Sequence, residues 1–396
     1  MYNFSPGLLY GVAEEMSVAK TLFIVSKAVL IYVYIGYPFL CLLLSRLKRN
    51  KYKTDDIIPS VTIIIAAYNE ENCIAETVQN KLELDYPSDK LEIIVVSDAS
   101  SDNTDALVAG IAEQDSRVIF LRQQNRRGKT AALNTAAEVA TGEILVFSDA
   151  NSIYNQSTLL NLVKPFADSS VGYVTGKMVY NVTKKSASGD GCSSYMKYEN
   201  RLREIESNFG SVVGVDGGID AVRKQLYTPM PEDMQPDFGL PLSVIENGRR
   251  VVFTPFALVS ESTLGNSSEE FSMRVRVILR ALWAIKSFKH LLNPFKYGLF
   301  SWQLFSHKIL RYLAPLFLLG CLISSLFMFN DGTWWAIWFP VQVAFYLLAF
   351  AGSRMEKAVS PLITFPLYFT LVNLASAVAL VSFLKGKKMV IWKPRT

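Results

Sequence analysis

Residues 61–70, VTIIIAAYNE, and residues 91–98, LEIIVVSD, each carry a short apolar, β-branched run into a polar turn. Runs of this length and composition read as buried strands. The form recurs at Val118–Leu121 and at Glu143–Ser148, and stretches with helical spacing near 70–83, 102–115 and 129–140 fill the intervals. This βαβα order predicts an α/β domain with a mainly parallel sheet covered by helices on both faces. Ligands of such sheets bind beyond the carboxyl ends of the strands, so the residues just after each strand decide the chemistry.

Those residues are polar. The first strand ends in Tyr68-Asn69-Glu70, the second in Asp98-Ala99-Ser100-Ser101-Asp102, and the fourth in Asp149-Ala150-Asn151. Singly, each reads as a helix N-cap, because Asn, Asp and Ser satisfy the free amides of a first turn. Together they bring an aromatic ring and several carboxylates to one edge, which points to a nucleotide pocket. The ring suits a base; a carboxylate suits ribose hydroxyls or base amides. No G-x-G-x-x-G or G-x-x-x-x-G-K-[ST] follows any strand, which disfavours a dinucleotide fold and a P-loop. Gly128-Lys129 at a helix start suits a diphosphate, since helix-end amides and an ammonium both favour negative charge.

Composition bounds the rest. In 396 residues, Lys and Arg number 40 against 35 Asp and Glu, a formal charge of +5 too mild to point to a nucleic-acid partner. Four cysteines without C-x-x-C spacing and two histidines, His290 and His307, make a disulfide scaffold, a zinc site and a Ser-His-Asp enzyme poor fits. Acid–base work falls to carboxylates.

Apolar residues gather at the two ends of the chain. Thr21–Leu44 is apolar apart from Lys27, long enough to cross a bilayer. Glu14 and Glu15 before it do not suit a secretory leader. Arg46, Lys48, Arg49 and Lys51 follow it, so the positive-inside rule puts the chain from residue 46 onward in the cytosol. Tyr312–Phe329 and Trp334–Gly352 read as a hairpin turning outside at Asn330-Asp331-Gly332. Leu362–Leu384 is a third run. As a plain span it would export Lys385, Lys387, Lys388, Lys393 and Arg395, and with Pro361 and Pro366 a bent or re-entrant segment is the alternative. Between Phe271 and Lys308, basic and aromatic residues interleave, as in helices lying in the headgroup layer. The expected organisation is an anchor at 1–46, the α/β domain at 47–268, interfacial helices at 269–311 and a membrane region at 312–396.

In order and spacing, VTIIIAAYNE (61–70), VVSDASSDNT (95–104), RRGKTAALNTA (126–136) and GEILVFSDAN (142–151) resemble the membrane-anchored family 2 glycosyltransferases, whose nucleotide-sugar domain has the Rossmann-like GT-A fold. The likeness runs on through Gly217-Gly218-Ile-Asp-Ala-Val-Arg223 and Pro236–Leu242. With the flanking spans it covers nearly the whole chain. It implies that Tyr68, Glu70 and Asp98 hold the nucleoside, that Lys129 approaches the donor diphosphate, and that Gly217 and Gly218 belong to the substrate surface. Asp149-Ala150-Asn151 stands where the family shows Asp-x-Asp, the pair that brings Mg²⁺ or Mn²⁺ to the diphosphate. Asn151 departs from it, which removes one negative charge and makes Asp149 the essential ligand.

Inverting transfer needs a carboxylate to take the proton of the attacking hydroxyl. Asp233 and Asp237 are the candidates. Asp237 is preferred, because it opens a helical stretch, 238–247, followed by Gly248 and the strand-like 250–253. The Q-x-x-R-W of processive cellulose and hyaluronan synthases is reduced here to Arg276, Arg280 and Trp283, so Arg280 is expected at the diphosphate and Trp283 at the acceptor. The expected enzyme uses a nucleotide-sugar, UDP-linked by preference, and a lipid-linked or glycan acceptor at the inner face of a bacterial cytoplasmic membrane. A processive polysaccharide synthase and a non-catalytic scaffold or export subunit are the alternatives.

Overall fold

The computed structural model describes residues 17–181, 187–262, 267–355 and 360–389; Glu14, Glu15, Lys393 and Arg395 lie outside them. Its centre is one eight-stranded sheet, built from β1 (Val61–Ala67), β2 (Leu91–Ser97), β3 (Val118–Arg122), β4 (Ile144–Asp149), β5 (Ile153–Tyr154), β6 (Val171–Asn181), β7 (Ile219–Arg223) and β8 (Arg250–Ser262). The strand order is β3-β2-β1-β4-β7-β6-β8-β5. β3, β2, β1 and β4 run parallel, as does the β6–β8 pair, whereas β7 is antiparallel to both its neighbours and β5 to β8. The sheet is thus mainly parallel but mixed. The antiparallel β7 enters from a segment the strand patterning did not mark.

β1 is buried along its whole length, and its side chains alternate between two cores. Ile64 and Ala66 pack on one face with Ile94 and Val96; Ile63 and Ile65 pack on the other with Ile93 and Val95. Burial of each such side chain is worth roughly 1.5–3 kcal/mol, which fixes the register: a one-residue slip would exchange the two faces. In that register Ala66 lies opposite both Val96 and Asp149. The turns after β1, β2 and β4 therefore emerge side by side at the carboxyl edge.

Among the described residues, four helices are long and apolar enough to cross a membrane: Val18–Leu47, Leu299–Phe327, Thr333–Ser353 and Pro361–Leu384. The second begins at Leu299, inside the stretch read from sequence as interfacial. The first two each carry a π-turn, Tyr32–Gly36 and Phe305–Ile309, and these meet where the Tyr32 hydroxyl lies 2.8 Å from Ser306 Oγ. At the other end of the first helix, Lys20 Nζ stands 3.6 Å from Asp331 in the turn before Thr333.

Pro361–Leu384 is one uninterrupted helix, with Pro361 in its first turn and Pro366 tolerated inside. It runs alongside the Ser267–Ser287 helix. Near one end the Tyr368 hydroxyl donates to Glu270 Oε1 at 2.8 Å; near the other Phe383 packs on Trp283, with ring centroids 4.8 Å apart. Lys388 just beyond it pairs with Asp233 of the α/β domain. Both ends of this apolar helix thus touch the same side of the molecule.

Candidate active site

The site begins with the turns. Asn69 and Ala99 both adopt left-handed backbone, with φ of +52° and +58°. Side-chain bonds hold the turns together: Asn69 N–H donates to Ser100 Oγ at 3.1 Å, Ser101 N–H to Asn69 Oδ1 at 2.8 Å, and Glu70 N–H to Thr104 Oγ1 at 2.8 Å. The Arg126 guanidinium lies 3.5 Å from the Tyr68 ring centroid, a cation–π stack on the ring expected to face a base. Asp98 is fully buried and accepts from the Arg127 and Gly128 amides at 2.7 and 2.9 Å. Burial raises its pKa, and those amides and the nearby arginines oppose the rise. Its carboxylate therefore ties down the loop that delivers Lys129.

Lys129 opens its helix and reaches across the edge. Its Nζ is 2.6 Å from Asp149 Oδ1 and 3.6 Å from Asp237 Oδ1, and it donates to the Gly217 carbonyl at 3.4 Å. Burial works against the ammonium, but Asp149 and Asp237 outweigh it and lift its pKa above the usual lysine range. Asp237 sits in the first turn of the Pro236–Glu246 helix, behind Pro236. Gly217 and Gly218 lie against Asp149 because β7 pairs Ile219 with Ser148. Beneath them the fully buried Asp220 accepts from the Gly217 amide at 2.8 Å. Burial, with the like charge of Asp237 and Asp216, pushes its pKa up to about 7.

Glu70, Lys129, Asp149, Asn151, Asp237 and Arg280 line one cavity of about 310 Å³. Tyr68, Asp98, Gly217, Gly218 and Trp283 are not in its lining. Arg280 donates to Thr130 Oγ1 at 3.0 Å and to the Met234 carbonyl at 2.5 Å, so it braces the loop leading to Asp237; burial lowers its pKa to about 10. Trp283 points elsewhere, donating to the Lys387 carbonyl at 2.9 Å. Asp233, paired with Lys388, is also outside the cavity lining.

Asp149 and Asn151 supply oxygen donors, the hard set that Mg²⁺ and Mn²⁺ prefer. No group of three or more His, Cys, Asp and Glu among the described residues is spaced to hold an ion by itself. The donor set thus fits a divalent ion that completes its coordination with a bound diphosphate and water.

The cavity continues away from the sheet into a second polar cluster that the sequence reading did not single out. Arg203 pairs with Asp216 at 2.6 Å, Arg311 pairs with Glu199, and His307 bridges Glu206 and Glu199 at 2.7 and 3.3 Å. The signal was present: Glu199, Arg203 and Glu206 recur at helical spacing on one face of the Ala187–Ser207 helix.

Residues 62–230 match the family model described as Glycosyl transferase family 2. The chain is 28% identical over 193 residues to a beta-monoglucosyldiacylglycerol synthase of Trichormus variabilis, a match covering 48% of this chain and 41% of that protein. It is 37% identical over 122 residues to a poly-beta-1,6-N-acetyl-D-glucosamine synthase of Staphylococcus aureus, covering 31% of this chain and 29% of the relative. These matches therefore span well under half the length of either relative. Among solved structures it is similar to a mannosyltransferase from Pyrobaculum calidifontis in complex with GDP-Man and Mn²⁺, with a TM-score of 0.68, 25% identity, and coverage of 92% of this chain and 99% of that one. The α/β domain has the GT-A fold.

Proposed function

We propose that residues 62–230, which match the glycosyl transferase family 2 model, act as a domain of that family and that the chain moves a sugar from a nucleotide-sugar to a membrane-associated acceptor, with inversion at the anomeric carbon. The observation that carries this reading is the Asp149–Lys129–Asp237 cluster at the sheet edge, in a cavity that runs on to Tyr34 and Asn373 on the apolar helices.

In the proposed reaction the acceptor hydroxyl oxygen bonds to the anomeric carbon while the bond from that carbon to the nucleoside diphosphate breaks. Asp237 takes the hydroxyl proton, and the electron pair leaves on the diphosphate. Lys129 holds the departing charge in a preorganised position, an electrostatic effect that grows as charge develops. Asp149, with Asn151, would hold Mg²⁺ or Mn²⁺; when bound, such an ion neutralises charge on the diphosphate. Tyr68 with Arg126, and Glu70, form the nucleoside end. UDP and GDP are both candidates, GDP because the similar mannosyltransferase binds GDP-Man.

The membrane arrangement follows from charge. Arg46, Lys48 and Arg49 at the end of the first helix put the GT-A domain on the cytosolic face of a cytoplasmic membrane. Leu299–Phe327 and Thr333–Ser353 cross as a hairpin, and Pro361–Leu384 lies under the domain instead of crossing. That keeps Lys385, Lys387 and Lys388 inside and removes their conflict with the positive-inside bias. A processive synthase is the second reading, favoured by the match to a polysaccharide synthase. Purified full-length protein given radiolabelled UDP- and GDP-sugars with membrane lipids tests both. The account expects one labelled donor to yield a lipid-extractable product of discrete size; a polymer supports the second reading, and no transfer from any donor removes both.

A further inference from the structure

The end of the cavity toward the apolar helices is lined by more cations than the transfer reaction uses. Three arginines there have partners: Arg203 with Asp216, Arg274 with Glu270 at 2.8 Å, and Arg311 with Glu199. Lys308 differs. It lines the cavity, yet among the described residues it makes no hydrogen bond or ion pair, and its Nζ stands 5.7 Å from the centroid of the Phe238 ring, the residue after Asp237. The Glu199 and Glu206 carboxylates act on it from beyond ion-pair distance and against Arg203 and Arg311, and an ammonium drawn from water without an anion in contact is costly, so such a position favours a bound anion.

The backbone is shaped for this placement. Lys308 sits in the π-turn Phe305–Ile309, a helical irregularity frequent at functional sites. Gly214 makes room for it: a Cβ there would come within 2.6 Å of Nζ. The surrounding wall combines Tyr34, Tyr312, Val372 and Ser376, drawn from three of the four apolar helices. An occupant reaching Lys308 between these helices has an apolar tail and an anionic head. Its head then lies in the same cavity as Asp237, while the donor diphosphate has its own cation in Lys129.

We propose that Lys308 binds the phosphate of a lipid acceptor, so that the substrate class is a phosphate-bearing lipid and not a neutral one such as diacylglycerol. This deepens the glycosyl-transfer reading and rests on it. The recognised chemistry is a phosphate ester, which the donor diphosphate or free phosphate would also offer, and the test separates these sources.

Full-length protein in a phosphate-free nonionic detergent would be titrated with farnesyl phosphate, farnesol, inorganic phosphate and, separately, UDP and GDP with Mn²⁺. The expected result is at least ~10-fold tighter binding of farnesyl phosphate than of farnesol, the size of one charge-assisted contact. Lys308→Met should abolish that preference, Lys308→Arg should keep it, and nucleotide affinity should stay within about 2-fold in both. Gly214→Ala, whose methyl meets the flexible end of the Lys308 side chain, should weaken the preference without abolishing it. Equal binding of phosphate and alcohol, displacement by inorganic phosphate at equal concentration, or a Lys308→Met deficit that falls on the nucleotide would each overturn the proposal. Nucleotide binding by the wild-type protein alongside any of these leaves the transferase reading standing, so the two failures are distinguishable.

Discussion

Gly217 leaves the space that the Asp237 carboxylate occupies: its φ is +83°, and a Cβ there would come within 2.5 Å of Asp237 Oδ2. The left-handed backbone and the missing side chain are both required, one to present the Gly217 carbonyl to Lys129 and the other to admit the carboxylate.

Gly217→Ala is therefore expected to push Asp237 off its position while leaving the nucleoside end intact. Displacing a reacting group by about 1 Å costs ~10²-fold in rate. Turnover should fall by about that factor with donor affinity within a few-fold of wild type, measured by transfer assay and nucleotide titration on the same preparation. A loss of donor affinity with turnover preserved would place the glycine elsewhere in the mechanism.

The departure at Asn151 makes a directional prediction. Asp149→Ala should remove the Mn²⁺ dependence of donor binding. Asn151→Asp, which restores a second carboxylate, should tighten the ion by roughly 10-fold, since oxygen-ligand sites are tuned by their charge count. Titrating Mn²⁺ against bound nucleotide checks both. Donor binding that stays metal-dependent in Asp149→Ala would mean the ion is held by other residues.

Asp220 should make stability pH-dependent. Its folded pKa is raised from 3.8 to about 7, so the fold favours the protonated form. That contribution is fully present below the unfolded value, declines as pH rises, and is lost above about pH 7. Asp220→Asn is always neutral and should gain on wild type between pH 4 and pH 8, by on the order of a few kcal/mol at most. Thermal midpoints across that range give the answer; parallel profiles for the two proteins would contradict it.

Trp283 was expected at the acceptor, and its indole instead caps the end of the last apolar helix through the Lys387 carbonyl. Trp283→Ala should lower stability by about 2–4 kcal/mol through lost packing on Phe383. It should leave the KM for donor and acceptor within a few-fold of wild type. A large rise in acceptor KM with unchanged stability would return Trp283 to the substrate path.

How much of this was legible beforehand follows from what each signal encodes. The strands of β1 to β4 and the polar turns after them could be read, because a doubly buried strand and its ligand edge both leave a composition signature. The direction of a side chain left none. Asp98 occupies an expected position, but only the fold reveals that its carboxylate holds the Arg127 and Gly128 amides. Similarly, the interleaved basic and aromatic residues between Phe271 and Lys308 predict helices but not that Arg280 lines the cavity while Trp283 packs on Phe383. In sequence Lys308 reads with the interfacial basic residues, since the π-turn that carries it has no mark there. For the last apolar helix the charge of Lys385, Lys387 and Lys388 questions a plain span in sequence, and the pairing of Lys388 with Asp233 is a contact that sequence does not show.

The most direct test of the central claim is Asp237→Asn, with donor binding and transfer measured on one preparation of full-length protein. The amide keeps the size and removes the proton acceptor, so nucleotide-sugar affinity should stay within a few-fold while transfer falls by ~10²- to 10⁴-fold, the range of a lost general base. Transfer at the wild-type rate would contradict the assignment of Asp237 and, with it, the reading of the crevice as a site where the acceptor meets the donor.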